Sequence, residues 1–265
     1  MNAHRARRRF SQNFLHDPLV IQRIIAAIAP QPDHHLLEIG PGLGALTVPL
    51  AERAGRLDMV EIDRDLAAGL RERFAGRDSV TVHEADAMHF DLAGITREPH
   101  SLRVVGNLPY NISSPLLFRL LAQRHWIADL HLMLQEEVVE RLVAPPGSRV
   151  YGRLGVMAGL WCESERVLRV GPGAFKPAPR VSSAVVAMRV RAEPLVPVRS
   201  SETFARVVSA AFGQRRKTLR NSLRELLEAD AIAACGVDPR ARAETLDLVA
   251  FAALADAVHD AGRAR

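Results

Sequence analysis

The stretch LLEIGPGLGALT, residues 36–47, decides how this chain folds. It opens on a short, largely apolar run suited to one buried strand. It then breaks at glycines 40, 42 and 44 before a helix-like segment. Glycines between a strand and a helix let the backbone turn sharply and come close to a ligand at the helix N-terminus. Such a turn alone says little, because dinucleotide-binding enzymes use a similar one and some tight turns bind nothing.

Working outward, the same alternation continues on both sides. Upstream, Asp17-Pro18 forms a helix start, with Val20, Ile21, Ile24, Ile25 and Ile28 recurring at helical spacing. Downstream, residues 57–62, 80–83, 102–105 and 130–134 read as strands separated by helical stretches. That pattern predicts βαβ units and a mainly parallel, Rossmann-like sheet covered on both faces, an α/β class. Residues 166–170 and 184–190 flank a Gly/Pro-rich stretch and are expected to form a hairpin at the sheet edge. Pro194 and Pro197 mark a linker, and beyond it apolar residues keep helical spacing (Phe204, Val207, Val208, Ala211; later Leu219, Leu223, Leu226). The expected organisation is one domain over residues 1–198, with a basic N-terminal arm at 1–16, and a small all-helical domain over 199–265.

Composition narrows the class. The 265 residues are 48% hydrophobic and carry a formal charge of +5, so a sizeable core is affordable and a polyanionic partner is plausible. Of 35 basic residues only Lys176 and Lys217 are lysines, a bias of little functional weight. Cys162 and Cys235 offer neither zinc-ligand spacing nor a disulfide framework, so no metal is expected and a reducing cytosol fits. The basic start MNAHRARRRF leads into no apolar signal segment, and no run is long enough to span a membrane. The expectation is a soluble cytoplasmic protein.

The chemistry collects where strands end. Glu61 ends the second strand 21 residues after Gly40, where an acidic residue grips the hydroxyl pair of a ribose. NAD and S-adenosylmethionine both carry such a ribose. The neighbouring Asp63 reads as a helix cap. Asp86, just past the third strand, suits an adenine amine, though such a residue is often a solvated cap. After the fourth strand comes Gly106-Asn107-Leu108-Pro109-Tyr110-Asn111-Ile112-Ser113. An exocyclic adenine amine is a poor nucleophile because its lone pair is delocalised into the ring. Two acceptors aimed at its hydrogens, the Asn107 side-chain oxygen and the Leu108 carbonyl, can hold the nitrogen pyramidal and free that lone pair. Pro109 stiffens the turn, and the Tyr110 ring offers a face on which an extruded base can stack.

At this point the chain closely resembles a family, the small-subunit ribosomal RNA adenine dimethyltransferases of the KsgA type. The matching stretches are FSQNFL (10–15), EIGPGLGALT (38–47), VEIDRDL (60–66), GNLPYNISSPLLF (106–118), YGRLGV (151–156), FKPAPRVSSAVV (175–186) and QRRKTLRNSL (214–223). The resemblance implies an S-adenosylmethionine pocket lined by Asn13, Leu15, Gly40, Gly42, Glu61, Asp86 and Asn107. It implies a methylating loop from Asn107 through Leu108 and Pro109 to Tyr110. It makes Phe175 a second aromatic that sandwiches the base opposite Tyr110, whereas its residue type alone reads equally as core. The implied partners are small-subunit rRNA and the immature 30S subunit, with the protein acting as a monomer away from membranes. Two adjacent adenines in a hairpin loop near the 3′ end are the implied target, with up to two methyls on each. Ser11 departs from the family's usual glycine.

Five cations fall within residues 215–224. On a helix they cannot share one face, so a dispersed solvated surface is the ordinary reading. As a phosphate-binding wall, Arg215, Arg216, Lys217 and Arg220 would hold RNA. Arg5, Arg7, Arg8 and Arg9 form a similar but less specific arm. Three rivals remain at this level. They are the large-subunit adenine methyltransferases that confer antibiotic resistance, an assembly factor retaining the fold without catalysis, and an NAD-dependent oxidoreductase. Leu108 and QRRKTLRNSL favour the small-subunit branch, and an oxidoreductase has no use for the Asn-Leu-Pro-Tyr loop.

Overall fold

The computed structural model describes residues 12–214 and 216–263. Residues 1–11 of the basic arm, Ser11 among them, and Arg215 therefore lie outside the described residues. The chain separates into two compact units, Met1–Val139 with Ser164–Val190, and Glu140–Glu163 with Arg191–Arg265. Where the sequence suggests one cut after residue 198, the chain passes between the units three times, after 139, 163 and 190.

The first unit is built on strands β1 (Phe14–Leu15), β2 (His35–Ile39), β3 (Arg56–Glu61), β4 (Val80–Glu84) and β5 (Leu102–Asn107). Strands β6 (Ile127–Gln135), β7 (Cys162–Val170), β8 (Phe175–Lys176) and β9 (Ser183–Val190) follow. Its helices are α1 (Pro18–Ile28), α2 (Thr47–Ala51), α3 (Arg64–Arg73) and α4 (Ser113–Ala122), and α5 (Glu136–Val143) leads into the second unit. Seven strands form one sheet in the order β4-β3-β2-β5-β6-β9-β7, while β1 and β8 pair separately. The first five are parallel to their neighbours and β9 runs antiparallel to β6. Each expected strand is present, with starts and ends mostly moved by one to three residues, and the expected edge pair is β9 beside β7.

Local chemistry explains these elements. The Asp17 side chain accepts from the Leu19 and Val20 amides and so caps α1, with Pro18 in its first turn. Ile24, Ile25 and Ile28 then point inward, each burial stabilising by roughly 1.5–3 kcal/mol as an upper figure. Strand β2 is buried along nearly its whole length, as expected of a parallel strand covered on both faces. The chain runs from β2 outward to β3 and β4, then returns to place β5 on the other side of β2. The carboxyl ends of β2 and β5 diverge there, which opens a crevice for a ligand.

The second unit is helical: α6 (Arg153–Gly159), α7 (Ser201–Phe212), α8 (Leu219–Ser222), α9 (Ala229–Ala234) and α10 (Leu248–Arg263). Phe204, Val207, Val208, Leu219, Leu223 and Phe251 lie in its buried core, as their spacing predicts. The basic run behaves differently from a helical one. Helix α7 stops at Gly213, residues 216–218 turn, and only Arg220 falls on the short α8. Arg216, Lys217, Arg220 and Arg224 are exposed.

Candidate active site

A cavity of about 280 Å³ sits at the carboxyl ends of β2, β3, β4 and β5. Its walls contain Asn13, Leu15, Gly40, Gly42, Glu61, Asp86, Asn107, Leu108, Pro109 and Tyr110. The fold thus gathers five separate stretches of sequence into one concave surface near the lower size limit of small-molecule sites.

The floor is the glycine turn. Gly42 has φ +58°, and a Cβ built on it would lie 3.2 Å from two atoms of the Phe14 ring, so both conformation and space favour glycine. Glu61 is only 5% exposed. Its Oε2 accepts from the Gly42 amide at 3.1 Å and its Oε1 from the Asp63 amide at 2.9 Å. Each oxygen retains a further acceptor direction, so two neighbouring hydroxyls can be gripped by a carboxylate already locked in place. Burial pushes this carboxyl up from its ordinary range, while the two amide bonds hold it back. Asp63 caps α3 by accepting from the Asp65 amide. Asp86 both lines the cavity and holds its own turn, Oδ1 accepting from the Met88 amide at 2.9 Å.

The loop after β5 is fixed at several points. Gly106 pairs with Ile39 across the sheet, and a Cβ there would meet the Ile39 carbonyl at 2.5 Å, so only glycine lets the two strands approach. The Leu108 amide donates to the Met133 carbonyl at 3.1 Å, and Ser113 Oγ donates to the Tyr110 carbonyl at 3.1 Å. Asn107 donates Nδ2 to the Asn13 carbonyl at 3.1 Å. That bond fixes the amide plane and leaves Oδ1 as an acceptor. The Tyr110 hydroxyl and Ser183 Oγ share a 2.6 Å hydrogen bond, which anchors the ring to the start of β9. Burial raises the phenol above its usual value, the Ser183 contact pulling the other way.

Phe175 is not brought to the cavity. It is 3% exposed and packs in the core with Leu15, Ala174 and Val185. In the two-residue β8 the alternation turns Phe175 inward and leaves Lys176 exposed, so the apolar ring takes the buried place. Among the described residues Tyr110 lines the cavity and Phe175 does not. Of the basic residues, Arg216, Lys217 and Arg220 belong to the second unit, while every residue lining the cavity belongs to the first.

Two contributors escape a reading of the sequence alone. Ser183 holds Tyr110 from 73 residues away, a pairing no local pattern signals. Glu38 also lines the cavity, 2% exposed, with Oε2 lacking any hydrogen-bond partner. Its signal was available: a carboxylate inside an otherwise apolar buried strand is out of place unless something uses it. Burial pushes its pKa up to about 8, the Glu61 charge adding to the effect and the nearby Thr47 hydroxyl partly opposing it. Among the described residues, the ionisable side chains of the cavity wall are Glu38, Glu61, Asp86 and Tyr110, with no lysine, arginine or histidine. A dinucleotide would bring an anionic pyrophosphate to three carboxyls, whereas a cationic ligand is favoured.

Residues 3–260 match the model of the family described as Ribosomal RNA adenine dimethylase. The chain belongs to that family. It is an S-adenosylmethionine-dependent methyltransferase with the Rossmann-like fold of the rRNA adenine dimethyltransferases. A Ribosomal RNA small subunit methyltransferase A from Pseudomonas syringae is 52% identical over 97% of this chain and 96% of its own. A protein of the same name from Hydrogenovibrio crunogenus is 48% identical over 98% of each. Among solved structures, a dimethyladenosine transferase from Plasmodium falciparum superposes with a TM-score of 0.76 at 26% identity, covering 91% of this chain and 95% of that one. The 23S rRNA methyltransferase ErmE gives 0.74 at 31% identity, covering 93% and 100%. The glycine turn, Glu61 and the Asn107–Tyr110 loop line one and the same cavity.

Proposed function

We propose that the chain transfers methyl groups to N6 of two adjacent adenines in a hairpin loop near the 3′ end of small-subunit (16S) rRNA. We place its substrate in the immature 30S subunit in the cytoplasm, with the enzyme acting as a monomer. The observation that carries the reading is the Asn107-Leu108-Pro109-Tyr110 loop lining the same cavity as Glu61. Relatives at 48–52% identity named as small-subunit enzymes favour that subunit over the large one.

When bound, S-adenosylmethionine supplies an electrophilic methyl group on a cationic sulfur. The residues present fit it: three carboxyls and no cation among the described residues of the wall, Gly42 closed under Phe14, and a preset Glu61. Asp86, which lines the cavity beyond β4, accepts from the adenine amine of the donor in this reading. On the acceptor side, Asn107 Oδ1 and the Leu108 carbonyl receive the two hydrogens of the target amine and direct its lone pair at the methyl. The proton lost on transfer leaves by way of these acceptors to water. The anchored Tyr110 ring stacks on the extruded base. Arg215, Arg216, Lys217 and Arg220 bind phosphates, and recognition rests on RNA shape and the particle around it.

Single-turnover rates at saturating cofactor test the loop. Asn107→Ala is expected to lower the rate roughly 10²–10³-fold, by analogy with losing one oriented donor of an oxyanion hole. Tyr110→Phe keeps the ring and is expected to rank second to wild type, while Tyr110→Ala falls far below. Retention of most of the wild-type rate by Asn107→Ala contradicts the amine-activation role.

A further inference from the structure

Ser183 puts a hydroxyl where packing alone has no need of one. It opens β9, is 0% exposed, and is followed by the buried apolar run Ala184, Val185 and Val186. Sheet register explains how it meets the catalytic loop. Met133 of β6 pairs with Asn107 of β5 on one side and with Val185 of β9 on the other, and Ser183 lies opposite Gln135. The start of β9 therefore stands near the end of β5, and Tyr110 reaches it with a 2.6 Å hydrogen bond to Ser183 Oγ. Main-chain bonds keep the two sides in step. The Leu108 amide donates to the Met133 carbonyl at 3.1 Å, and the Glu136 amide donates to the Ser182 carbonyl at 3.0 Å. Tyr110 is thus held at both ends, its carbonyl by Ser113 Oγ and its hydroxyl by Ser183. A side chain fixed at root and tip keeps little freedom about χ1 and χ2.

Stability gives little reason for the pair, because replacing both partners of a hydrogen bond by apolar groups of the same shape can be nearly neutral. We propose that Ser183 is a positioning residue for methyl transfer. Its hydroxyl presets the Tyr110 ring as the platform for the extruded adenine, so the base stacks without first ordering that ring. The proposal rests on the reading of Tyr110 as the platform. Immobilising a free side chain is a cost that capture of the base would otherwise carry. The same bond gives the phenol a partner inside the protein, so the base meets the ring face and not the hydroxyl. Loss of the tether leaves phosphate contacts in place and lowers the fraction of bound complexes whose adenine is stacked for reaction.

Single-turnover methyl transfer at saturating cofactor, followed across concentrations of under-methylated small subunits, separates capture of the base from binding of the particle. Ser183→Thr and Ser183→Val add nearly the same bulk and differ in the hydroxyl. Ser183→Val is expected to have a maximal rate about threefold to tenfold below Ser183→Thr, the worth of one ordinary hydrogen bond. The half-saturating subunit concentration and the affinity for S-adenosylhomocysteine, the reaction product, are expected to be equal in the two. Ser183→Ala, compared with wild type, reads the same loss if the bulkier variants do not fold. Tyr110→Phe removes the bond from its other side. The double variant Tyr110→Phe/Ser183→Ala is therefore expected to match Tyr110→Phe in rate, with a melting temperature near that of wild type. Equal rates for Ser183→Val and Ser183→Thr, or for Ser183→Ala and wild type, overturn the proposal and leave the platform reading standing. So do losses from Tyr110→Phe and Ser183→Ala that multiply in the double variant. Retention of most of the wild-type rate by Tyr110→Ala overturns both.

Discussion

Glu61 meets the cavity with a carboxylate already oriented by the Gly42 and Asp63 amides. Little ordering remains when a ribose arrives, so much of each new hydrogen bond is realised as affinity. Glu61→Ala is expected to weaken S-adenosylmethionine binding by about 1–3 kcal/mol, read by titration calorimetry; unchanged affinity removes Glu61 from the site. Glu38 makes the opposite contribution, since a buried carboxyl beside Glu61 costs the free protein stability. Burial pushes its pKa up to about 8 in the folded protein, above the ordinary value of 4.5. Any stability it confers is therefore present below about pH 4.5 and lost as pH rises toward 8. Glu38→Gln keeps the shape and removes the titration. Its melting temperature should exceed that of wild type at pH 8, and the gain should shrink toward pH 5. A gain independent of pH contradicts a buried, titrating Glu38.

At the scale of elements, the turn between β2 and α2 and the loop after β5 act as rigid fittings. Gly42→Ala forces a side chain into the left-handed region and against Phe14, a strain of about 1–2 kcal/mol. The expected result is a cofactor affinity lowered by about tenfold with the fold retained, checked by calorimetry beside circular dichroism. An unchanged affinity means that the turn does not touch the ligand. These elements were legible from the chain because their constraints are local. Strand, glycines and helix follow one another at 36–47, and the Asp17 cap and Pro18 announce α1. Phe175 was not legible, since which face of a two-residue strand meets the core depends on β1, 160 residues away in sequence. The turn at 216–218 was missed for a related reason: the apolar spacing continues past Gly213 although the helix does not.

At the scale of the molecule, the chain divides its work between two compact units. The first carries the cavity and the second carries Arg216, Lys217 and Arg220. The three cations are exposed and in no ion pair among the described residues. Such residues suit a sequence-independent hold on phosphates. Replacing all three with alanine should weaken RNA binding and reduce the slope of log affinity against log salt by up to about three contacts, leaving cofactor affinity in place. An identical salt slope in mutant and wild type removes this surface from the RNA interface. The passage of residues 140–163 into the second unit could not be read from periodicity, because α5 and α6 carry ordinary helical patterns that suit either unit. The chemistry of the whole is tested most directly by methyl transfer. Labelled S-adenosylmethionine is given to under-methylated small subunits and, separately, to large subunits, and the labelled nucleosides are then identified. The account predicts N6-methylated and N6-dimethylated adenosine at two adjacent positions in small-subunit RNA. Label on large-subunit RNA alone, or on a nucleoside other than adenosine, contradicts it.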